Sequence, residues 1–532
     1  MRKKHRHVFF NLILPAVVFG SITGVLTALV VTIYKFCAKY VIEVSEGGYH
    51  YLADEPLWIP LVLAGMFGLA FLYAFCYRNI PNLRGGGIPT SIGILRGLIT
   101  FKWLRNLVGV FMLSLTTFLL GVPLGNEGPS VQMGTAIGRG CVYSFAKNQR
   151  AWDRYAMTGG ACAGFSVATG APISGIMFAI EEAHQRIAPM ILIVSSTSVM
   201  VSYVTAELLS PLLGVDTSLF PGMKLLTLSA KDLWIPLVVG IVIGLFAVLF
   251  LHYYRLVNRF FNKTLKKLPH AYKIFALLLL TLALGLVSYS FVSTGHHLIE
   301  VLFEGKVAIY MLILILFVRA TLTLSASSTS MTGGMFLPIL ALGATLSSLL
   351  GKTLQAVFGL GGEYYSIILV LGIVACISGM MKTPLTAIVF AVEALSCYEN
   401  ILYVITVAVV AYIIPEVFGL ESINDRVLEN RVEELNDGKN SKVFDLFVVV
   451  QKKSFAIGKQ VRDIFWPANL FVLSVKRDPN RAAEVDEHGG KAIHAGDVLH
   501  VRYSTTDETV TKEELIAIVG EQDCDEQEVA NV

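Results

Sequence analysis

The apolar runs at residues 8–34, 57–77, 233–252 and 274–292 reach or approach the roughly 20 residues needed to cross a bilayer. Inside hydrocarbon every backbone amide and carbonyl must find its partner within the protein, and a helix does this within one segment. Composition agrees: 55% of the 532 residues are hydrophobic and 15% charged, against roughly 25% charged in soluble domains. Such a chain cannot cover its surface with charge, and its abundance of Ile, Leu, Val and Phe excludes disorder. The reading is an all-α polytopic membrane protein. Arg2, Lys3, Lys4, His5, Arg6 and His7 precede the first run, which puts that end in the cytoplasm by the positive-inside rule. The run is too long for a signal-peptide core and reads as a retained helix. A net charge of +3 is too small to argue for a nucleic-acid partner. Cys37, Cys76, Cys141, Cys162, Cys376, Cys397 and Cys524 form no CxxC and are expected as buried thiols, not metal ligands or disulfides.

The texture changes near residue 420. Residues 426–442 are charged with a helical pattern. Residues 444–450, 470–475 and 498–503 then form short β-branched and aromatic runs, separated by turn residues such as Asp478-Pro479-Asn480 and Gly489-Gly490. Residues 512–519 read as a short helix, and the acidic end, residues 521–532, is expected to be frayed. The expected division is a transmembrane part over 1–435, a linker at 436–443, a small cytoplasmic α+β domain over 444–523 and an acidic tail at 524–532.

The membrane part repeats itself. Gly125-Asn126-Glu127-Gly128-Pro129 runs on to Gly134, and Gly334-Met335-Phe336-Leu337-Pro338 runs on to Gly343 with the same spacing. Gly160 leads to Ala171-Pro172-Ile173-Ser174 and Phe178-Ala179-Ile180-Glu181. Gly372 leads at equal spacing to Thr383-Pro384-Leu385-Thr386 and Phe390-Ala391-Val392-Glu393. Gly/Pro interruptions at corresponding places in two hydrophobic halves point to a transporter substrate site.

Each break has a physical use. Proline is at home in the first turn of a helix, where its missing N–H is no loss, and glycine admits backbone angles closed to other residues. A helix starting inside an apolar region exposes unpartnered amides and the positive end of its dipole, which an anion satisfies. Residues 125–129, 333–338 and 85–89 (Gly85-Gly86-Gly87-Ile88-Pro89) all build this device. One such break serves equally to let helices pack. Three, two of them related by the repeat, favour an anion site. Glu127 sits among these amides, where a carboxylate can occupy the anion's place and leave it when protonated; ionisable groups at membrane depth are functional by default. Glu181 has its counterpart in Glu393 and reads as a shared structural residue. Glu182 corresponds to Ala394 and reads either as an inner proton acceptor or as a solvated helix-end residue.

Together with Gly170-Ala171-Pro172-Ile173-Ser174-Gly175 running on to Glu181-Glu182, these motifs resemble the CLC chloride channels and proton-coupled chloride transporters, in the family's order and over residues 8–435. The resemblance implies the CLC fold of two inverted repeats with broken helices and a homodimer with one pathway per subunit; the expected location is a bacterial inner membrane with both termini cytoplasmic. It implies chloride and protons as substrates, with Glu127 as gate and Glu182 as internal proton acceptor. The anion site it implies comprises Gly86, Gly87, Ile88, Asn126, Gly128, Met335, Phe336 and Asn424, with no metal. The sequence departs from the family in two places. Gly86 stands where a serine hydroxyl usually donates to the anion, and Asn424 stands where a tyrosine is expected. Residues 444–519 resemble the C-terminal ligand-binding domain of RCK/TrkA potassium-transport regulators, which implies a dimerising regulatory tail. A nucleotide such as cyclic di-AMP fits as its ligand; no other cofactor is implied.

The alternatives are a passive or weakly coupled chloride channel, a fluoride/proton exchanger and an intramembrane enzyme. The enzyme would use Ser166 with His296 or His297, but there is no HExxH motif and no phosphate-binding P-loop. No enzyme is expected.

Overall fold

A computed structural model describes residues 12–147, 149–220, 225–436, 442–477, 484–485, 489–505, 507–521 and 526–528. The basic residues before the first run, the turn at 478–480, Cys524 and most of the expected linker and acidic tail lie outside them. Seventeen helices of the membrane part follow in order: α1 (Leu14–Asp54), α2 (Ile59–Asn79), α3 (Ile88–Leu95), α4 (Trp103–Leu119), α5 (Glu127–Phe145), α6 (Asp153–Thr169), α7 (Pro172–Met177), α8 (Pro189–Leu213), α9 (Trp234–Arg259), α10 (His270–Val287), α11 (His296–Phe303), α12 (Ile309–Ser328), α13 (Phe336–Phe358), α14 (Tyr365–Cys376), α15 (Pro384–Glu393), α16 (Ile401–Val417) and α17 (Ile423–Asn436). Among the described residues, nine helical segments are long and apolar enough to cross a membrane. Others, such as α3, α7 and α15, are far too short and must end at depth.

The first run does not stop where its apolar character fades. Helix α1 continues to Asp54, so Lys35, Lys39, Glu43 and Glu46 are carried on the same helix. Proline opens α3, α7, α8 and α15 in the first turn, as the sequence indicates. Helices α5 and α6 touch backbone to backbone: a Cβ on Gly134 would lie 2.0 Å from the carbonyl oxygen of Gly160, and one on Gly160 equally close to that of Gly134. Only glycine permits this approach, and it ties the first GNEGP helix to the element leading to Glu182. Helix α14 has its residues from Ile367 to Cys376 fully buried.

The repeat is visible as reciprocal capping. Glu181 accepts hydrogen bonds from Leu385 N (2.9 Å), Thr386 N (2.7 Å) and Thr386 Oγ1 (2.7 Å) at the start of α15. Glu393 accepts from Ile173 N (2.7 Å), Ser174 N (2.9 Å) and Ser174 Oγ (2.9 Å) at the start of α7. Each carboxylate thus satisfies the orphan amides of the other repeat's short helix, where an acidic group also meets the positive helix end.

The C-terminal part is a five-stranded antiparallel sheet of order β3-β2-β4-β1-β5, with β1 (Lys442–Val449), β2 (Leu470–Lys476), β3 (Glu484–Val485), β4 (Val498–Thr505) and β5 (Glu526–Glu528), packed by α18 (Glu508–Val519). Strand β1 alternates as a half-buried strand should, with Phe444, Leu446 and Val448 inward and Phe447 out. These join Leu499, Val501, Leu515 and Ile518 in a separate small core. Helix α18 begins earlier than the expected 512, because Asp507 caps it through Val510 N. The acidic end is not wholly frayed: Glu526–Glu528 pairs with Phe444 to Leu446 as an edge strand. Cys141, Cys162, Cys376 and Cys397 are buried thiols, and Cys37 and Cys76 are half-buried.

Candidate functional site

Three helix starts meet backbone against backbone. Gly125 N donates to Gly334 O (2.7 Å) and Gly334 N to Gly125 O (2.8 Å), a two-bond bridge that joins the first turns of α5 and α13. Gly85 N donates to Ser330 O (2.8 Å), which brings in the loop before α3. A Cβ on Gly87 would fall 1.8 Å from the carbonyl carbon of Gly128, and one on Gly86 1.8 Å from the carbonyl oxygen of Gly333. Gly87 also has φ +45°, and Gly85 φ +74°. Thr332 anchors the loop before α13: its amide and hydroxyl meet Tyr77 Oη, and its hydroxyl donates to Leu83 O (2.6 Å). Gly86, Gly87, Ile88, Asn126, Gly128, Met335 and Phe336 are therefore assembled at one junction. The first-turn amides of α3, α5 and α13 have no partner within their own helices and supply its donors.

Glu127 is the first residue of α5 and is completely buried. Its carboxylate folds back over Gly125. The amides of Glu127 and Leu337 face it without closing a hydrogen bond of normal geometry, and neither oxygen has a partner among the described residues. A buried carboxylate in this condition is costly unless it is paired, hydrogen-bonded or protonated. Lys35 on α1 is the cation whose field reaches it; its ammonium donates to the carbonyls of Val167 and Asp216, each at 3.1 Å.

From the junction an aromatic series leads to the turn that carries Glu182. Phe336 packs edge-on against Phe165 (5.3 Å) and Phe390 (5.4 Å), and Phe165 stacks on Phe178 (5.8 Å, 5°). Phe178 opens the π-helical turn that ends at Ala183 and carries Glu182. Glu182 is 7% exposed, which removes the reading of a solvated helix-end residue. Asn424 donates its side-chain amide to Glu182 Oε1. Arg96 holds the backbone of the same turn, through Nη2 to Glu182 O (2.9 Å) and Nε to Ala183 O (3.0 Å), while Nη1 pairs with Asp425 (3.1 Å). The amide of Asn424 thus meets Glu182, a partner the sequence reading did not give it.

The C-terminal domain docks on the loop just beyond. His184 stacks on Phe465 (4.5 Å), and Arg186 lies over the same ring (4.7 Å) while donating to Arg462 O (3.1 Å). Tyr155 Oη donates to Asp463 O (2.8 Å). Arg154 donates to Trp466 O and pairs with Glu514, both at 2.6 Å. Sequence reasoning missed Lys35, Arg96 and this arginine set. A cation within or closing an apolar run was the available signal. Ser166 is buried on α6, and His296 stacks on Phe220 and meets Leu219 O; no hydrogen bond joins the two among the described residues.

Residues 67–416 match the family described as voltage gated chloride channel. The chain belongs to this CLC family. It is 28% identical over 422 residues to the H(+)/Cl(-) exchange transporter ClcA of Salmonella arizonae, covering 78% of this chain and 88% of that one. It is likewise 28% identical over 416 residues to ClcA of Salmonella typhimurium, covering 77% and 87%. Among solved structures it resembles a slow cyanobacterial Cl-/H+ antiporter (TM-score 0.69, 24% identity, 80% of this chain and 98% of that one). It also resembles a CLC-type fluoride/proton antiporter (TM-score 0.59, 20% identity, 75% and 94%). At these identities the structural likenesses establish the CLC fold.

Proposed function

We propose that this protein exchanges chloride for protons across the membrane, with Glu127 as gate and Glu182 as inner proton acceptor. The observation that carries the reading is Glu127 itself. It is a fully buried carboxylate facing the amides of Glu127 and Leu337, set where three helix starts converge. An ionised Glu127 competes with an anion for the same amides; protonated, it loses that attraction and yields the place. One group then handles both ions, which is what couples their movement. Glu182, at the far end of the aromatic series and held by Asn424, supplies the second proton station. The relatives named H(+)/Cl(-) exchange transporter support the substrates.

The central anion is proposed to be held by the amides of Ile88, Gly128, Met335 and Phe336, with Gly86, Gly87 and Asn126 shaping the backbone around it. Gly86 brings no hydroxyl, and the amide of Asn424 faces Glu182, so backbone donors carry the binding. That feature favours a second reading of loose coupling or channel-like flux. We also read the chain as a homodimer of a bacterial inner membrane with cytoplasmic termini. The sheet and helix of residues 442–528 fit a dimerising regulatory domain of RCK/TrkA type. The test is ion flux in liposomes. Glu127→Gln should keep chloride flux and end proton movement, and Glu182→Gln should also end proton movement. Persistent coupling in both variants would overturn the assignment.

A further inference from the structure

Between the two domains lies a crevice of about 970 Å³ that the transport reading does not use. One edge is Pro15, in the first turn of the membrane-crossing α1. Another is the turn around Arg150 and Trp152 before α6, and the third is the loop 451–459 of the C-terminal domain with the end of α18. Four lysines line it: Lys147, Lys452, Lys453 and Lys459. None of them has a carboxylate partner among the described residues. Arg150 pairs with Glu513 (3.0 Å), which leaves Glu521 as the one lining carboxylate outside an ion pair.

The floor is where the charge is most exacting. Lys459 is 6% exposed, donates its ammonium to Phe455 O and sits 3.5 Å from the centroid of the Phe455 ring. A buried cation held by one carbonyl and an aromatic face lacks the counter-charge that such groups ordinarily require. Burial accordingly pushes the Lys459 ammonium down to about 8. In the lining of the same crevice, the hydroxyl oxygen of Ser454 is buried without a hydrogen-bond partner among the described residues. Trp152, Phe455, Ile457 and Ile516 add apolar surface to the same crevice. The site therefore offers several uncompensated ammonium groups, an idle hydroxyl and an apolar wall at the level where α1 enters the membrane.

We infer that this crevice binds a phosphate-bearing anion that bridges the membrane domain and the C-terminal domain. A phosphate accepts from several lysines and one hydroxyl at once, and its non-phosphate part lies against the apolar wall. The same chemistry is offered by the headgroup of an anionic phospholipid and by a soluble phosphate compound. The occupant touches both Lys147 beside the membrane domain and the loop 452–459, so it favours the docked arrangement in which Phe465 lies against His184.

The test uses the full-length protein. Native mass spectrometry after release from nanodiscs of phosphatidylcholine with phosphatidylglycerol counts the retained anionic lipid. Calorimetric titration with inorganic pyrophosphate in detergent tests the soluble source. The triple variant Lys147→Gln, Lys452→Gln, Lys453→Gln is compared with wild type; its chloride flux in pure phosphatidylcholine vesicles should be unchanged. Affinity should fall about fivefold for each lysine removed. Loss of retained phosphatidylglycerol alone assigns the lipid, and loss of pyrophosphate binding alone assigns the soluble compound. Equal binding of both probes by wild type and variant overturns the proposal. If the triple variant does not fold, Lys453→Gln alone carries the comparison, with a single fivefold step expected.

Discussion

The family resemblance invites the substitution Gly86→Ser, which would restore a hydroxyl to the anion site. A hydrogen bond to a charged group contributes roughly 1.5–3 kcal/mol, so tighter chloride binding is the naive expectation. The geometry predicts the opposite. A Cβ at position 86 would lie 1.8 Å from Gly333 O, and real Cβ contacts essentially never fall under 3.0 Å, so the carbonyl must retreat by about 1.2 Å. Gly333 adjoins Gly334, whose two hydrogen bonds to Gly125 measure 2.7 and 2.8 Å. Moved by that amount, both pass beyond hydrogen-bonding distance. Losing two such bonds costs about 2 kcal/mol, and overpacking a well-filled interior adds about 1–3 kcal/mol. The expected total is about 3–5 kcal/mol, together with a displaced anion site; a misplacement of ~1 Å can cost about 10²-fold in rate at a preorganised site. Thermal unfolding of the purified protein and chloride flux from liposomes read the two effects. Gly86→Ala should behave alike, since the clash belongs to the Cβ and not to the hydroxyl. A Gly86→Ser protein with wild-type melting and equal or tighter chloride binding would refute the reasoning.

Three further outcomes follow from the contacts. Asn424→Leu leaves Glu182 Oε1 buried without its donor, at about 1–3 kcal/mol, and should change the number of protons moved per chloride; an unaltered ratio would make Asn424 a packing residue only. Arg154→Ala removes the bond to Trp466 O and the pair with Glu514, so the C-terminal domain of the full chain should be cut faster by protease while chloride flux persists; unchanged cleavage would place the docking energy elsewhere. Arg502 hydrogen-bonds Asp445 and holds its carboxyl below the usual carboxylate range, so the pair's stabilisation is present above pH ~4 and lost as pH falls through the lowered folded value. The extra protease resistance of wild type over Arg502→Gln should therefore vanish on acidification, and a difference that grew with acid would contradict the sign.

Much of the fold was legible because the bilayer leaves few choices. Runs of apolar residues had to be helices, and glycine with proline inside them had to mark helix starts, as α3, α5, α7, α13 and α15 show. The pairing of Glu181 with Glu393 in the repeat foretold a shared structural role, and reciprocal capping is that role. Distance along the chain hid the rest. Nothing local in Gly86 and Gly333 announces that their backbones touch, and Asn424 meets Glu182 across 242 residues. Arg96, Arg154 and Arg186 stand out in sequence only as cations near apolar runs; their partners, carbonyls of remote segments together with Asp425 and Glu514, carry no local signature. The strand at Glu526–Glu528 was missed because acidic residues are poor strand formers, and edge pairing with Phe444 to Leu446 overrides that preference.

The central claim is that chloride and protons move through one coupled site, and the most direct test is chloride-driven proton pumping. Purified protein in liposomes, with a chloride gradient and a pH electrode outside, should move protons uphill, and Glu127→Gln should abolish this while chloride still flows. Chloride flux with no proton movement in the wild-type protein would contradict exchange and make the converging helix starts the site of a passive anion path.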